Sequence, residues 1–259
     1  MVTKQDIFQM LKSFGIRRDD KVTVHSSLRK VGEIDGGAEG LLNALIEYLH
    51  SGLLIIPTHT WDKVGYYDVC ETVPCVGILS QIAAFRSDGI RSLHPTHSVA
   101  VFGKGAEEFV KGEEKCASPT PPECCLSRLY EENGKILLIG VDQRSNTFLH
   151  AAEELLNVPN RLTEKSRLIT IIDYHGNEIQ SAPFHGFHTP NVPEGCSEHF
   201  DNYEKPLIYC KAVTIGTLGN AQVFCCDARK TVNTLKMLWE KADYDLCSET
   251  RDIPEAYYK

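Results

Sequence analysis

His150 and Glu153 are the residues whose types and spacing best suit chemistry. They lie in Asn146-Thr147-Phe148-Leu149-His150-Ala151-Ala152-Glu153, and residues three apart on a helix share a face. A carboxylate beside an imidazole favours its protonated form and can fix its tautomer. Such a pair can act as a general base near neutral pH. The same spacing also describes a solvated surface pair worth a few tenths of a kcal/mol.

Three further constellations carry reactive side chains. His25-Ser26-Ser27-Leu28-Arg29-Lys30 ends a short apolar strand. Its hydroxyls, turn N–H groups and two cations suit an anion, though a capped turn with surface cations explains the same residues. No glycine pattern of the P-loop or dinucleotide type is present. Arg91-Ser92-Leu93-His94-Pro95-Thr96-His97-Ser98 runs into another strand. Pro95 holds His94 extended, and an odd spacing points His94 and His97 to opposite faces. One of the two is therefore expected inward and hydrogen-bonded, the other lining a cleft. His185, His188, Cys196 and His199 could form a zinc set, but no group that would orient these ligands can be named.

Alternating elements must position these residues. A helical stripe runs through Ile7, Met10, Leu11 and Phe14, and a second through Leu41, Leu42, Leu45, Ile46 and Leu49. Strands are expected at 21–25, 53–57, 98–102, 135–139 and 168–172, and a late hairpin through Gly219-Asn220. Ser145 or Asn146 can cap the helix that carries His150. The pattern predicts one α/β domain over residues 1–259, its central sheet mixed but largely parallel and covered on both faces.

Composition narrows the class. The chain has 259 residues, 42% of them hydrophobic, enough for a packed core. A formal net charge of -8 argues against a nucleic-acid partner and suits a cationic small molecule. No apolar run is long enough to span a membrane, and Met1 to Ile7 lacks the apolar core of a signal peptide, so a cytoplasmic protein is expected. The ten cysteines are then expected to be reduced thiols.

Taken together, these segments resemble the aminoglycoside 3-N-acetyltransferases, from near Asp6 to near Cys247. The likeness rests on Val24-His25-Ser26-Ser27-Leu28, Gly36-Gly37-Ala38 and Leu54-Ile55-Ile56-Pro57-Thr58-His59-Thr60-Trp61. It continues through Arg91 to Ser98, Gly103 with Ala106-Glu107-Glu108, Leu138-Ile139-Gly140-Val141 leading into Asn146 to Glu153, Gly216 to Ala221 and Ala228 to Val232. The resemblance implies an α/β fold distinct from the GNAT acetyltransferases and acetyl transfer from acetyl-coenzyme A to an amine. It places the coenzyme against Ser26, Ser27, Leu28, Arg29, His94, His97 and Ser98. It makes His150 the catalytic base and Glu153 its partner.

On this reading His150 takes a proton from the attacking amine and Glu153 steadies the ring. Backbone N–H groups near Thr58-His59-Thr60 or Asn146-Thr147 would receive the oxyanion. Asp62, Asp68 and Glu71 could meet a polycation, or form a solvated acidic loop. The acceptor is expected to be an aminoglycoside, at its 3-amino group, or a similar amine, and the protein a monomer or homodimer without a bound metal. Direct transfer needs no protein nucleophile, and no cysteine lies in a segment that resembles one. The competing readings are a zinc hydrolase using His185, His188, Cys196 and His199, and a coenzyme A-binding protein acting on a non-aminoglycoside amine or on none.

Overall fold

The computed structural model describes residues 1–192 and 196–259. Its strands are β1 (Lys21–Ser26), β2 (Leu53–Pro57), β3 (Tyr66–Asp68), β4 (Ile90–Arg91), β5 (Val99–Gly103), β6 (Lys135–Ile139), β7 (Thr170–Ile172), β8 (Glu178–Gln180), β9 (Val213–Leu218) and β10 (Ala221–Asp227). Its α-helices are α1 (Lys4–Ser13), α2 (Leu28–Val31), α3 (Gly37–Tyr48), α4 (Ile78–Ala84), α5 (Ala106–Val110), α6 (Cys125–Glu131), α7 (Thr147–Leu155), α8 (Glu204–Tyr209) and α9 (Ala228–Lys241).

Seven strands form one sheet in the order β4-β5-β2-β1-β6-β10-β9. The parallel pairs are β2 with β1 and β1 with β6, at the centre. Every other pair is antiparallel. Only β5 and β10 therefore run against the rest, and the sheet is mixed with most strands pointing one way. The antiparallel flanks follow from short connections: the Gly219-Asn220 turn joins β9 to β10, and a parallel partner would need a crossover of a dozen residues.

The central strands are apolar on both faces because both are covered. Along β2, Leu53 and Ile55 point into a cluster with Phe148, Leu149 and Leu235. Leu54 and Ile56 point into the opposite cluster with Leu11, Leu41 and Leu45. Close packing at the entry to α3 leaves no room at Gly40, where a Cβ would stand 1.9 Å from the Asp35 carbonyl oxygen.

A second sheet, β3-β7-β8, packs Tyr67 and Ile171 into a small core of its own. Tyr67 donates to the Ser92 carbonyl at 2.7 Å, and the Tyr174 hydroxyl exchanges hydrogen bonds with the Arg91 backbone. The Arg91 guanidinium donates to the carbonyls of Val69, Thr72 and Thr58. The small sheet is thereby fixed beside the ends of β2 and β5. Its strands β3 and β8, like β4, are two or three residues long and carry too little period to be read from sequence. Among the described residues no helix is long and apolar enough to cross a membrane.

Candidate active site

The carboxyl ends of β1, β2 and β6 point the same way, and a cavity of about 590 Å³ opens beyond them. Ser26, Pro57 and Val141 bring those three strand ends to its wall. Crevices outside the carboxyl ends of parallel strands are the usual ligand sites of α/β sheets.

Helix α7 starts at this end. Asn146 caps it, its Oδ1 accepting from Phe148 N at 3.2 Å, while its Nδ2 donates to Gln143. Phe148, Leu149, Ala151 and Ala152 pack into the core, which turns His150 towards the cavity. His150 and Glu153 are 6% and 0% exposed, so the pair is not a solvated surface pair. The imidazole stacks on Phe187 with ring centres 3.7 Å apart and leans on Phe200 at 4.5 Å. Its Nδ1 lies 3.9 Å from Glu153 Oε2, and its Nε2 faces Cys196 Sγ at 3.7 Å.

Glu153 is held from behind. Its Oε1 accepts from the Tyr203 hydroxyl at 2.9 Å, which itself accepts from Trp239 Nε1 at 2.9 Å. Arg161 Nε sits 3.0 Å from Oε2, and its two terminal nitrogens reach Asp245 at 3.0 and 2.8 Å. This corrects the expectation of a readily protonated imidazole. Burial, and then the Arg161 cation, push His150 down to about 3. Glu153 lies above its ordinary value because it is buried, with Arg161 and Tyr203 opposing that rise. Glu153 is held by Arg161 and Tyr203 and stands 3.9 Å from the ring.

Of the residues expected to hold substrates, Ser26, His97 and Thr147 line the cavity with His150. The others do not line it, for identifiable reasons. Ser27 ties the start of α2 to β6 through its amide, Leu28 packs on the core, and Arg29 is exposed. His94 is turned inward, accepting from the amides of Thr96 and His97 and contacting the Ser118 carbonyl. Thr58 and Ser98 bond to each other at 2.9 Å. Thr60 is buried, and Asn146 caps α7. The amides of Thr58 and Thr60 donate to the carbonyls of Ser98 and Thr96, so they are not free for an oxyanion. Asp62 is exposed and paired with Lys63, while Asp68 accepts from the amides of Cys70 and Glu71 in a turn. Neither they nor Glu71 line the cavity.

The zinc set is dispersed. His185 Nδ1 bonds the Thr163 carbonyl, His199 Nδ1 bonds Thr250, and Cys196 faces His150. Among the described residues no group of three or more His, Cys, Asp or Glu could hold a metal ion. Sequence reasoning missed other wall residues. His59, with Nε2 3.3 Å from Thr147 Oγ1, packs against both Trp61 and His97, which also touch each other. Arg144, paired with Asp142 and Asp201, and the exposed Arg167 also line the wall. Burial lowers His25 to about 4 and holds His59 and His97 well below their ordinary value. Among the described residues, buried His25 Nε2 and His59 Nδ1 at the wall have no hydrogen-bond partner.

Comparison with known proteins places this geometry. The family model of aminoglycoside 3-N-acetyltransferase matches residues 23–240. An aminoglycoside N(3)-acetyltransferase III of Serratia marcescens is 27% identical over 182 residues, covering 62% of this chain and 67% of that protein. A type VII enzyme of Streptomyces paromomycinus is 24% identical over 261 residues, covering 90% and 89%. The matched stretch spans about two thirds of the type III relatives' own length. Among solved structures, the apoenzyme of aminoglycoside acetyltransferase AAC(3)-IVa superposes with a TM-score of 0.76 at 25% identity, over 93% of this chain and 89% of that one. A His-to-Ala variant of that enzyme, in complex with apramycin, superposes with a TM-score of 0.75 at 25% identity, over 92% and 93%.

Proposed function

The chain belongs to the aminoglycoside 3-N-acetyltransferase family, and we propose that it transfers an acetyl group from acetyl-coenzyme A to the 3-amino group of an aminoglycoside or to a similar amine. His150 serves as the general base. The observation that carries this reading is the buried, neutral imidazole at the cavity wall, backed by a carboxylate that is itself anchored by Arg161 and Tyr203. A base must be unprotonated to work, and this one is.

An amine attacks a thioester only as the free base. The described residues of the cavity wall include no Asp or Glu, so the wall gives no counter-charge to an ammonium and favours the neutral nitrogen beside His150. Arg167 at the wall suits a phosphate of the coenzyme. The start of α7, at Thr147, offers the positive end of a helix to the oxyanion that develops on the acetyl carbonyl.

The test is thiol release from acetyl-coenzyme A against a panel of aminoglycosides and simple amines. Amine-dependent release is expected from the native protein, and a drop of about a hundred-fold or more from His150→Ala. Release that is unchanged in His150→Ala refutes the base assignment. Absence of release with every amine refutes the activity.

A further inference from the structure

We propose that Phe187 is a positioning residue: stacked on the His150 imidazole, it fixes the plane of the base and keeps the Nε2 edge turned to the cavity. Its effect on turnover rests on His150 acting as the base, whereas the stack itself does not.

The imidazole is poorly tethered by polar contacts. Its Nδ1 lies 3.9 Å from Glu153 Oε2, beyond hydrogen-bonding distance. Its Nε2 faces only the weak partner Cys196 Sγ, at 3.7 Å. Among the described residues no nitrogen or oxygen atom hydrogen-bonds the ring. The terminal torsion of a histidine is broad, so such a ring turns unless its faces are packed. Phe187 packs one face, with ring centres 3.7 Å apart and planes 19° apart. Phe200 braces the ring at 4.5 Å and 55°.

Phe187 is itself held from both sides. Residues 184–188 pair with 161–167 as an antiparallel ribbon, with Leu162 opposite Phe187. The Gly186 carbonyl accepts from Thr163 N at 2.9 Å, and Gly186 N donates to Thr163 Oγ1 at 3.0 Å. On the other side His188 N donates to the Arg161 carbonyl at 2.9 Å. The Phe187 ring also meets His97 edge to face at 5.0 Å. The same ribbon carries Arg161, whose Nε stands 3.0 Å from Glu153 Oε2. One ribbon thus supports both the imidazole and the carboxylate behind it.

The lone pair of an imidazole nitrogen lies in the ring plane, so fixing that plane fixes the line along which a proton is taken. Phe187 also keeps water off the covered face, and burial is the first cause that brings His150 down to about 3. The titratable and charged groups facing the ring are Glu153 on its own helix, Arg161 on the ribbon, Cys196 on the next loop and His97 before β5. Burial keeps the Cys196 thiol and the His97 imidazole uncharged near neutral pH. Exposing the ring should therefore move His150 upward, towards the ordinary value of about 6.5. A protonated base does not work, so the rate should then fall as pH falls through that range.

The experiment compares Phe187→Tyr, which keeps a flat ring, with Phe187→Leu, which keeps apolar bulk and cannot stack. Proton NMR of the His150 ring, its signal identified by its loss in His150→Ala, reads the stack without any substrate. The native signal should lie upfield through the ring current of Phe187 and should not titrate between pH 7 and 5. Phe187→Leu should lose the upfield shift and titrate in that range, and Phe187→Tyr should keep the native behaviour. In thiol release from acetyl-coenzyme A with an accepting amine, Phe187→Leu should lower kcat by about tenfold or more. KM for acetyl-coenzyme A should stay within about threefold, and Phe187→Tyr should restore kcat. If Phe187→Leu does not fold, Phe187→Met makes the same comparison. A native-like NMR signal and kcat in Phe187→Leu overturn the inference, and so does a rise in KM with kcat unchanged, which makes Phe187 only a wall for substrate. If no amine supports release by the native protein, the acetyltransferase reading fails, while the NMR comparison still decides whether Phe187 orients the ring.

Discussion

Replacing Arg161 with Met strands a carboxylate that water cannot reach. The Arg161 side chain is 3% exposed and pairs with Glu153, which is 0% exposed, and with Asp245, which is 22% exposed. Asp245 can recover solvent when the guanidinium is removed, whereas Glu153 cannot, so the loss falls on Glu153. Breaking a buried ion pair by removing one partner costs about 3–5 kcal/mol. In a chain of this size each kcal/mol lowers Tm by about 2–4 °C, so Arg161→Met should melt on the order of 10 °C lower. Glu153→Gln keeps an oxygen for the Tyr203 hydroxyl, leaves Arg161 paired with Asp245, and should cost about 1–3 kcal/mol. The double variant buries no unpaired carboxylate, so its loss should fall short of the sum by about 1 kcal/mol or more. Glu153 already lies above its ordinary value through burial, and the Arg161→Met deficit should narrow as pH falls and the carboxyl takes up a proton. Thermal and urea melts of the four proteins measure all of this. A single-variant loss below about 1 kcal/mol, or losses that add within about 0.5 kcal/mol, would refute the assignment of Arg161 as the counter-ion of Glu153.

Acid should weaken the fold early. Folded His25 sits near 4, and His94 and His150 near 3, all because of burial. Below the ordinary histidine value of about 6.5 the unfolded chain takes up protons that the folded chain refuses, at about 1.4 kcal/mol per pH unit for each histidine at most. Glu113 and Glu154, raised by burial, act in the opposite direction once pH approaches the ordinary carboxyl range. Unfolding free energy should therefore drop between pH 7 and 5; a flat or rising profile contradicts the neutral buried histidines. Asn146→Ala removes the cap of α7, which should cost about 0.5–2 kcal/mol and lower turnover with it, read by melting and thiol release together. Gly40→Ala drives a Cβ into the Asp35 carbonyl and should lose at least about 2 kcal/mol, read by urea midpoint; wild-type stability would show that the α3 entry can yield.

Long periodic elements were legible in the sequence, and so was the helix that carries His150. The apolar runs at 53–57 and 135–139 are strands because the sheet is covered on both faces, so they show no alternation to misread. The sequence also singled out Cys196 and its loop, as part of a zinc set. Spacing among His185, His188, Cys196 and His199 suggested a metal, yet the partner of Cys196 is His150, 46 residues earlier. Contacts at such separations depend on how loops return to the sheet, which no local pattern encodes. The same holds for Arg161, which pairs with Glu153 and with Asp245, 84 residues further on, and adds to burial in keeping the imidazole neutral. The coenzyme residues read from the resemblance were only partly placed at the wall. Thr58, Ser98 and His94 have the right types but satisfy one another or the backbone. Hydrogen-bond demand inside a core competes with ligand binding for the same polar side chains.

The central claim is that a thioester is held against His150. A crystal structure of the complex with coenzyme A tests it most directly. The account predicts the coenzyme sulfur in the cavity beside Cys196 and His150, within hydrogen-bonding reach of Nε2 directly or through one water. A sulfur seated outside that cavity, away from the imidazole, would contradict it.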